Sequence, residues 1–163
     1  MRTAVVITAS NRASRGEYAD LIGESLAKGL TALGYEVSGP HVVADSIDLI
    51  SEQLTVALAN KTRLIVTTSG TGLSPTDVTP EATAPFIEKV IPGFSEALRA
   101  YSRDKVPTSD LTRGLVGTHA TSLIVNLPGS QGAIKDGLVI IERLAGHILD
   151  QLDGKIGRAS CRE

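Results

Sequence analysis

The sequence predicts an α/β fold: a three-layer, mainly parallel sheet with helices on both faces. Short, mainly aliphatic runs at residues 3–9 (TAVVITA), 63–68 (RLIVTT) and 122–127 (SLIVNL) have the make-up of strands covered on both sides. Between them lie stretches whose apolar residues recur at helical spacing, and alternation of strand with helix implies right-handed crossovers and parallel pairing. The third observation is an aromatic content of 3% without Trp, so the core must be built from Val, Ile, Leu and Ala, as α/β layers are.

In chain order, residues 3–9 form the first strand. From Ala19, the positions Ile22, Leu26, Leu30 and Leu33 keep helical spacing, and Gly34 stands where a left-handed cap ends a helix. Residues 36–43 read as a second strand. Ile47, Ile50, Leu54 and Ala57 then trace the inner stripe of a second helix. After the third strand at 63–68, residues 69–80 are rich in Gly, Ser, Thr and Pro and read as a loop. Helices are expected over 81–90 and 93–105, with Pro92 and Pro107 as breaks. The strand at 122–127 is closed by Pro128 and Gly129. The longest helix follows, its stripe of Ile134, Leu138, Ile141, Ala145, Ile148 and Leu152 running for about five turns. One domain is expected over 1–154, and the tail at 155–163 (KIGRASCRE), which lacks periodicity, is expected to be disordered or foreign to the native chain.

Bulk properties exclude several functions. A chain of 163 residues suffices for one hydrophobic core. Its formal net charge of −2 provides no broad basic face, so nucleic-acid binding is not expected and any phosphate must be held locally. The only cysteine, Cys161, can form neither an internal disulfide nor a metal cluster, which fits a reducing compartment. The N-terminal apolar run is too short for a signal peptide, and no run approaches the roughly 20 residues of a membrane span. A soluble, cytoplasmic protein is the expectation.

Ligands of open parallel sheets bind beyond the carboxyl ends of the strands. Four such ends here carry polar or glycine-rich sequence: Ser10-Asn11-Arg12, Asp45-Ser46, residues 69–80, and residues 126–130. In the third-strand loop, Gly70 and Gly72 allow the backbone N–H groups to approach an anion, while Ser69, Thr71 and Thr76 add hydroxyls. Asp77, at the far end of this donor-rich loop, would repel phosphate unless a cation intervenes, which points to Mg²⁺. Gly-Thr-Gly is equally a common tight connection, and Asp77 or Thr79 equally a helix cap, so the loop alone leaves the readings balanced. Neither a Walker pattern nor G-x-G-x-x-G is present. Asp45 taken singly reads as a helix N-cap; its position on the same sheet edge makes it a second candidate for the metal. Asn126, Pro128, Gly129 and Ser130 offer an amide, a rigid turn and a hydroxyl at a helix N-terminus. Arg12, Arg15 and Lys135 are candidate positive charges, and His41, His119 and His147 show no metal-ligand spacing.

Residues 67–72 (TTSGTG), 76–82 (TDVTPEA) and 126–130 (NLPGS) together resemble the molybdopterin adenylyltransferases, the Mog/MoaB-type proteins of molybdenum cofactor biosynthesis, over roughly residues 3–153. Ser69 stands where the family pattern has glycine. The resemblance implies the molybdenum cofactor biosynthesis protein fold, a homotrimer, and transfer of AMP from Mg-ATP to molybdopterin with release of pyrophosphate. It also implies hand-over to a molybdenum insertion protein. It assigns Asp45 and Asp77 to Mg²⁺ and catalysis. Ser10, Asn11, Arg12, Ser69, Gly70, Thr71, Gly72, Thr76, Glu81, Asn126, Pro128, Gly129 and Ser130 are assigned to substrate binding. The rival readings are a MoaB-type paralogue that binds pterin or nucleotide without catalysis, and a nucleotide pyrophosphatase on a related domain.

Overall fold

The computed structural model describes residues 1–155. Four strands form its parallel part: β1 (Thr3–Ala9), β2 (Glu36–Val43), β3 (Leu64–Thr68) and, as the last strand in the chain, β6 (Ser122–Leu127). Two short strands, β4 (Lys89–Val90) and β5 (Val116–His119), extend the sheet antiparallel, giving the order β2-β1-β3-β6-β5-β4. The predicted three-layer, mainly parallel α/β fold is the one observed.

Helices α1 (Asn11–Ser14), α2 (Leu21–Ala32), α3 (Ile47–Ala59), α4 (Thr79–Thr83), α5 (Pro92–Arg103) and α6 (Gln131–Leu152) cover the sheet. Leu26 and Leu30 of α2, Phe94 and Leu98 of α5 and the inner stripe of α6 pack on Ala4, Val6, Leu64, Val66, Leu123 and Val125. On the opposite face, Ile50, Leu54 and Ala57 of α3 and Ala82 of α4 pack on Ile7, Ile65 and Ile124. Residues of alternating parity on β1, β3 and β6 thus feed two cores, which is why these three strands read as mainly aliphatic runs. Each fully buried Leu or Ile contributes about 1.5–3 kcal/mol.

Several helix starts are written into the sequence as caps. Ser10, Asp20, Ser46 and Ser130 each accept the backbone N–H three residues on, so four helices begin at fixed residues. Gly34, at φ 99°, closes α2 in the left-handed conformation expected of it.

The structure departs from expectation between β3 and β6. Residues 81–90 are not one helix: α4 ends at Thr83 and a 3-10 turn spans Ala84–Phe86. Pro85 provides no N–H to continue the ladder. The chain then turns extended into β4. Pro92 starts α5 instead of breaking a helix, and Pro107 opens a 3-10 turn, Pro107–Leu111. Ile47, expected on the inner stripe, sits at the first position of α3 and is 46% exposed. Beyond Lys155, the expectation for the tail, including Cys161, lies outside the described residues.

Candidate functional site

Strand register brings the polar segments together. Thr8 pairs with Thr68 and Thr68 with Leu127, while Ala9 pairs with Val43, so the four parallel strands end almost flush. Ser10, Asp45, Ser69 and Pro128 therefore emerge along one edge. The chain leaves β1 for β2 through α2 on one face and returns to β3 through α3 on the other, placing the change of face at β1 and β3.

Asn11 and Asp45 clasp the first two loops. Asn11 N–H donates to Asp45 Oδ2 (3.1 Å) and Asp45 N–H to Asn11 Oδ1 (2.8 Å). The third loop is shaped by two successive left-handed residues, Ser69 (φ 76°) and Gly70 (φ 72°). Thr79 staples it: its hydroxyl donates to Ser69 O (3.0 Å) and its N–H to Gly70 O (3.1 Å). A Cβ at residue 70 would overlap the Thr79 hydroxyl and lie 3.5 Å from Asp45 Oδ1, and one at residue 72 would lie 2.8 Å from Asp77 Oδ2. The two carboxylates thus border the same three-residue loop, one at each glycine. Asp77 is fixed by its own turn, accepting from Ser74 N–H (3.1 Å).

Arg113 holds this loop from outside. Its Nε donates to Gly72 O (2.8 Å), its Nη2 to Asp77 O (2.9 Å) and its Nη1 to Glu81 Oε1 (2.6 Å), while its backbone N–H donates to Thr71 O (2.8 Å). Thr112 joins Thr71 through their hydroxyls (3.0 Å).

A cavity of about 320 Å³ opens over the loop, lined by residues that include Ser69 to Gly72, Asp77, Thr112, Pro128 and Gly129. A second cavity, of about 380 Å³, adjoins it and shares Thr108, Thr112 and Pro128. Among the described residues, the backbone N–H groups of Gly70, Thr71 and Gly72 have no protein acceptor, an arrangement suited to an anion. Burial pushes the Asp45 carboxyl above its ordinary pKa against the lowering effect of the Asn11 amide, and the charge of Asp77 pushes it further. A half-buried carboxylate and a second one bordering the same loop, beside backbone amides free to bind an anion, form a set of groups that a cation would complete. Among the described residues, no cluster of three or more His, Cys, Asp or Glu could hold a metal by itself. The pair fits Mg²⁺, which takes one or two carboxylates and completes its shell with phosphate oxygens and water.

Other expected site residues are placed differently. Asn126 is 2% exposed and turned into the core: Oδ1 accepts from Leu115 N–H (3.0 Å), and Nδ2 donates to the hydroxyls of Thr67 (2.9 Å) and Thr83 (3.1 Å). Both its N–H groups are used internally, so its role here is to tie β3, α4 and β6 together. Glu81 faces Arg113, and exposed Thr76 does not line the cavity. Arg12, 70% exposed, is drawn to Glu17 (3.3 Å) and to the face of Tyr18 (5.2 Å). Ser10 caps α1 and bonds the Tyr18 hydroxyl (2.9 Å). Ser130 caps α6 and lines the second cavity. Arg113, Thr108 and Thr112 escape sequence reasoning because residues 104–115 carry neither periodicity nor a recognisable motif.

The "probable molybdopterin binding domain" family model matches residues 5–146. The molybdopterin adenylyltransferase of Helicobacter pylori J99 is 37% identical over 153 residues, covering 91% of this chain and 86% of that protein. Molybdenum cofactor biosynthesis protein B of Staphylococcus carnosus is 37% identical over 136 residues, covering 80% of each. The solved structure of the molybdopterin biosynthesis Mog protein from Mycobacterium ulcerans superposes with a TM-score of 0.88 at 43% identity, covering 93% of this chain and 99% of that one.

Proposed function

Because the chain belongs to the molybdopterin-binding domain family of molybdenum cofactor biosynthesis, we propose that it transfers AMP from ATP to molybdopterin and releases pyrophosphate. The observation that carries this reading is the placement of Asp45 and Asp77 on either side of the Gly70–Gly72 loop, beside unpaired amides.

The triphosphate lies in the cavity over the loop, where the amides of Gly70 to Gly72 receive phosphate oxygens. Asp45 and Asp77 would hold Mg²⁺, whose charge offsets that of the leaving pyrophosphate. The terminal phosphate of molybdopterin attacks the α-phosphorus as the bond from that phosphorus to the bridging oxygen breaks. A phosphate nucleophile is already ionised, so no protein base is required. The chain's task is to align the two phosphates, and the Asn11–Asp45 clasp and the Arg113 bonds keep the loops from moving apart. The adjoining cavity accommodates the pterin. Among the described residues no helix is long and apolar enough to cross a membrane. A cytoplasmic homotrimer that passes its product to a molybdenum insertion protein is proposed on family membership alone.

The chain is as similar to a relative named molybdenum cofactor biosynthesis protein B as to one named an adenylyltransferase, and in a second reading the same cleft binds without turning over. Incubation with ATP, Mg²⁺ and molybdopterin separates the two. Adenylylated molybdopterin and an equal amount of pyrophosphate support transfer; binding without pyrophosphate supports the second reading and sinks the first.

A further inference from the structure

We propose that Asp136 reads the amino-oxo edge of the pterin ring in the second cavity, an assignment that rests on the adenylyl-transfer reading above. Asp136 interrupts an otherwise apolar inner face of α6, between the buried residues Ile134 and Gly137, and is itself 8% exposed. A carboxylate in that position is costly, and packing alone would be served by an aliphatic residue. It lies on the wall of the cavity of about 380 Å³, where Leu98, Val106 and Ala133 provide apolar surface. That volume falls within the range of small-molecule sites, roughly 300–1,000 Å³.

The carboxylate is oriented and only partly used. Oδ2 accepts from the Ser102 hydroxyl (2.7 Å) and Oδ1 from Lys105 Nζ (2.7 Å). An ionised carboxylate has about four acceptor sites, so about two remain. The N3–H and 2-amino groups of a pterin present two adjacent donors, which a carboxylate accepts as a pair, as it does the fork of a guanidinium. The cavity meets the phosphate cleft at Thr108, Thr112 and Pro128, so a ring bound at Asp136 has a continuous path for its side chain toward the loop beside Asp77. Lys105, more than half exposed and also over the Tyr101 ring (4.4 Å), lines the same cavity and screens the carboxylate from its solvent side.

The test compares 6-hydroxymethylpterin with 6-hydroxymethyllumazine, in which an oxo group replaces the 2-amino group, by ligand fluorescence on the full chain. Wild type should prefer the pterin by about tenfold or more, the worth of hydrogen bonds to a charged group. Asp136→Asn should bring the two ligands to within about threefold while leaving Mg-ATP affinity unchanged, and should raise the KM for molybdopterin with little change in kcat. Lys105→Ala, which keeps the carboxylate, should retain the preference. Equal binding of both ligands by wild type overturns the assignment without need of a variant, as does a preference that survives Asp136→Asn or vanishes with Lys105→Ala. A protein that makes adenylylated molybdopterin without discriminating the two rings refutes the role of Asp136 alone, whereas a protein that makes no such product refutes the underlying function.

Discussion

Replacing Arg113 by Ala should loosen the loop that carries Asp77 and cost both stability and turnover. The side chain makes two bonds to carbonyls, at Gly72 (2.8 Å) and Asp77 (2.9 Å), and one ion pair with Glu81 (2.6 Å). Each carbonyl bond is worth about 1 kcal/mol net, and a half-exposed ion pair about 0–1 kcal/mol, so the loss is about 2–3 kcal/mol. In a chain of this size that lowers Tm by about 5–10 °C. Because the lost bonds fix the loop between the two aspartates, a displacement of about 1 Å there should reduce kcat/KM about 100-fold. Arg113→Lys should recover little, since an ammonium cannot reach both carbonyls as the planar fork does. Glu81→Gln removes only the exposed pair and should cost about 0.5 kcal/mol. Calorimetric unfolding and a pyrophosphate-release assay give both quantities. An Arg113→Ala protein that melts and turns over like wild type, or full recovery with lysine, would show that these bonds do not hold the loop.

Four further outcomes follow from the same geometry. Ser69→Gly should raise the urea midpoint by an amount equivalent to about 0.5–1 kcal/mol, because relief of a left-handed serine exceeds the added chain entropy; an unchanged or lower midpoint contradicts this. Asn126→Ala leaves the Leu115 amide without its acceptor and the Thr67 and Thr83 hydroxyls without their donor, so it should cost about 2–4 kcal/mol in denaturant unfolding; a loss below about 1 kcal/mol would deny the residue its tie between strands. For Asp45 the folded pKa lies above the unfolded one, so the folded state binds the proton more tightly, and this group's contribution to stability grows as pH falls through the raised value. Metal-dependent activity runs the other way and should fail over that window. Asp77→Asn removes a like charge and should move the Asp45 titration, followed by carboxyl-carbon NMR, to lower pH; an unmoved titration would show that the two groups do not interact.

The parallel strands and the longest helix were legible in the residues themselves. Thr3–Ala9, Glu36–Val43 and Ser122–Leu127 are bounded as their runs suggest, and the stripe of α6 faces the core as its spacing predicts. What escaped is the stretch in which tertiary context overrides local pattern. β4 is two residues long and exposed, and exists because Lys89 and Val90 find Thr118 and Gly117 across an edge. The convergence of Asp45, the Gly70–Gly72 loop and Asp77 was readable, because each follows a strand that was expected to run parallel to the others and so to end at one edge of the sheet. The inward turn of Asn126 was not, since an amide after an aliphatic strand reads alike whether it faces ligand or core. Arg113 was equally silent. Its importance lies in carbonyls about 40 positions earlier, which no local spacing encodes.

Whether Asp45 and Asp77 act on one Mg²⁺-bound triphosphate is decided by a double-mutant cycle on ATP affinity with and without Mg²⁺. Asp45→Asn, Asp77→Asn and the double variant should each lose most of the Mg²⁺-dependent part of binding, and the double variant should lose little more than either single one, because either change disables the shared site. Losses that simply add, or Mg²⁺-dependent affinity that survives in the double variant, would contradict a shared site.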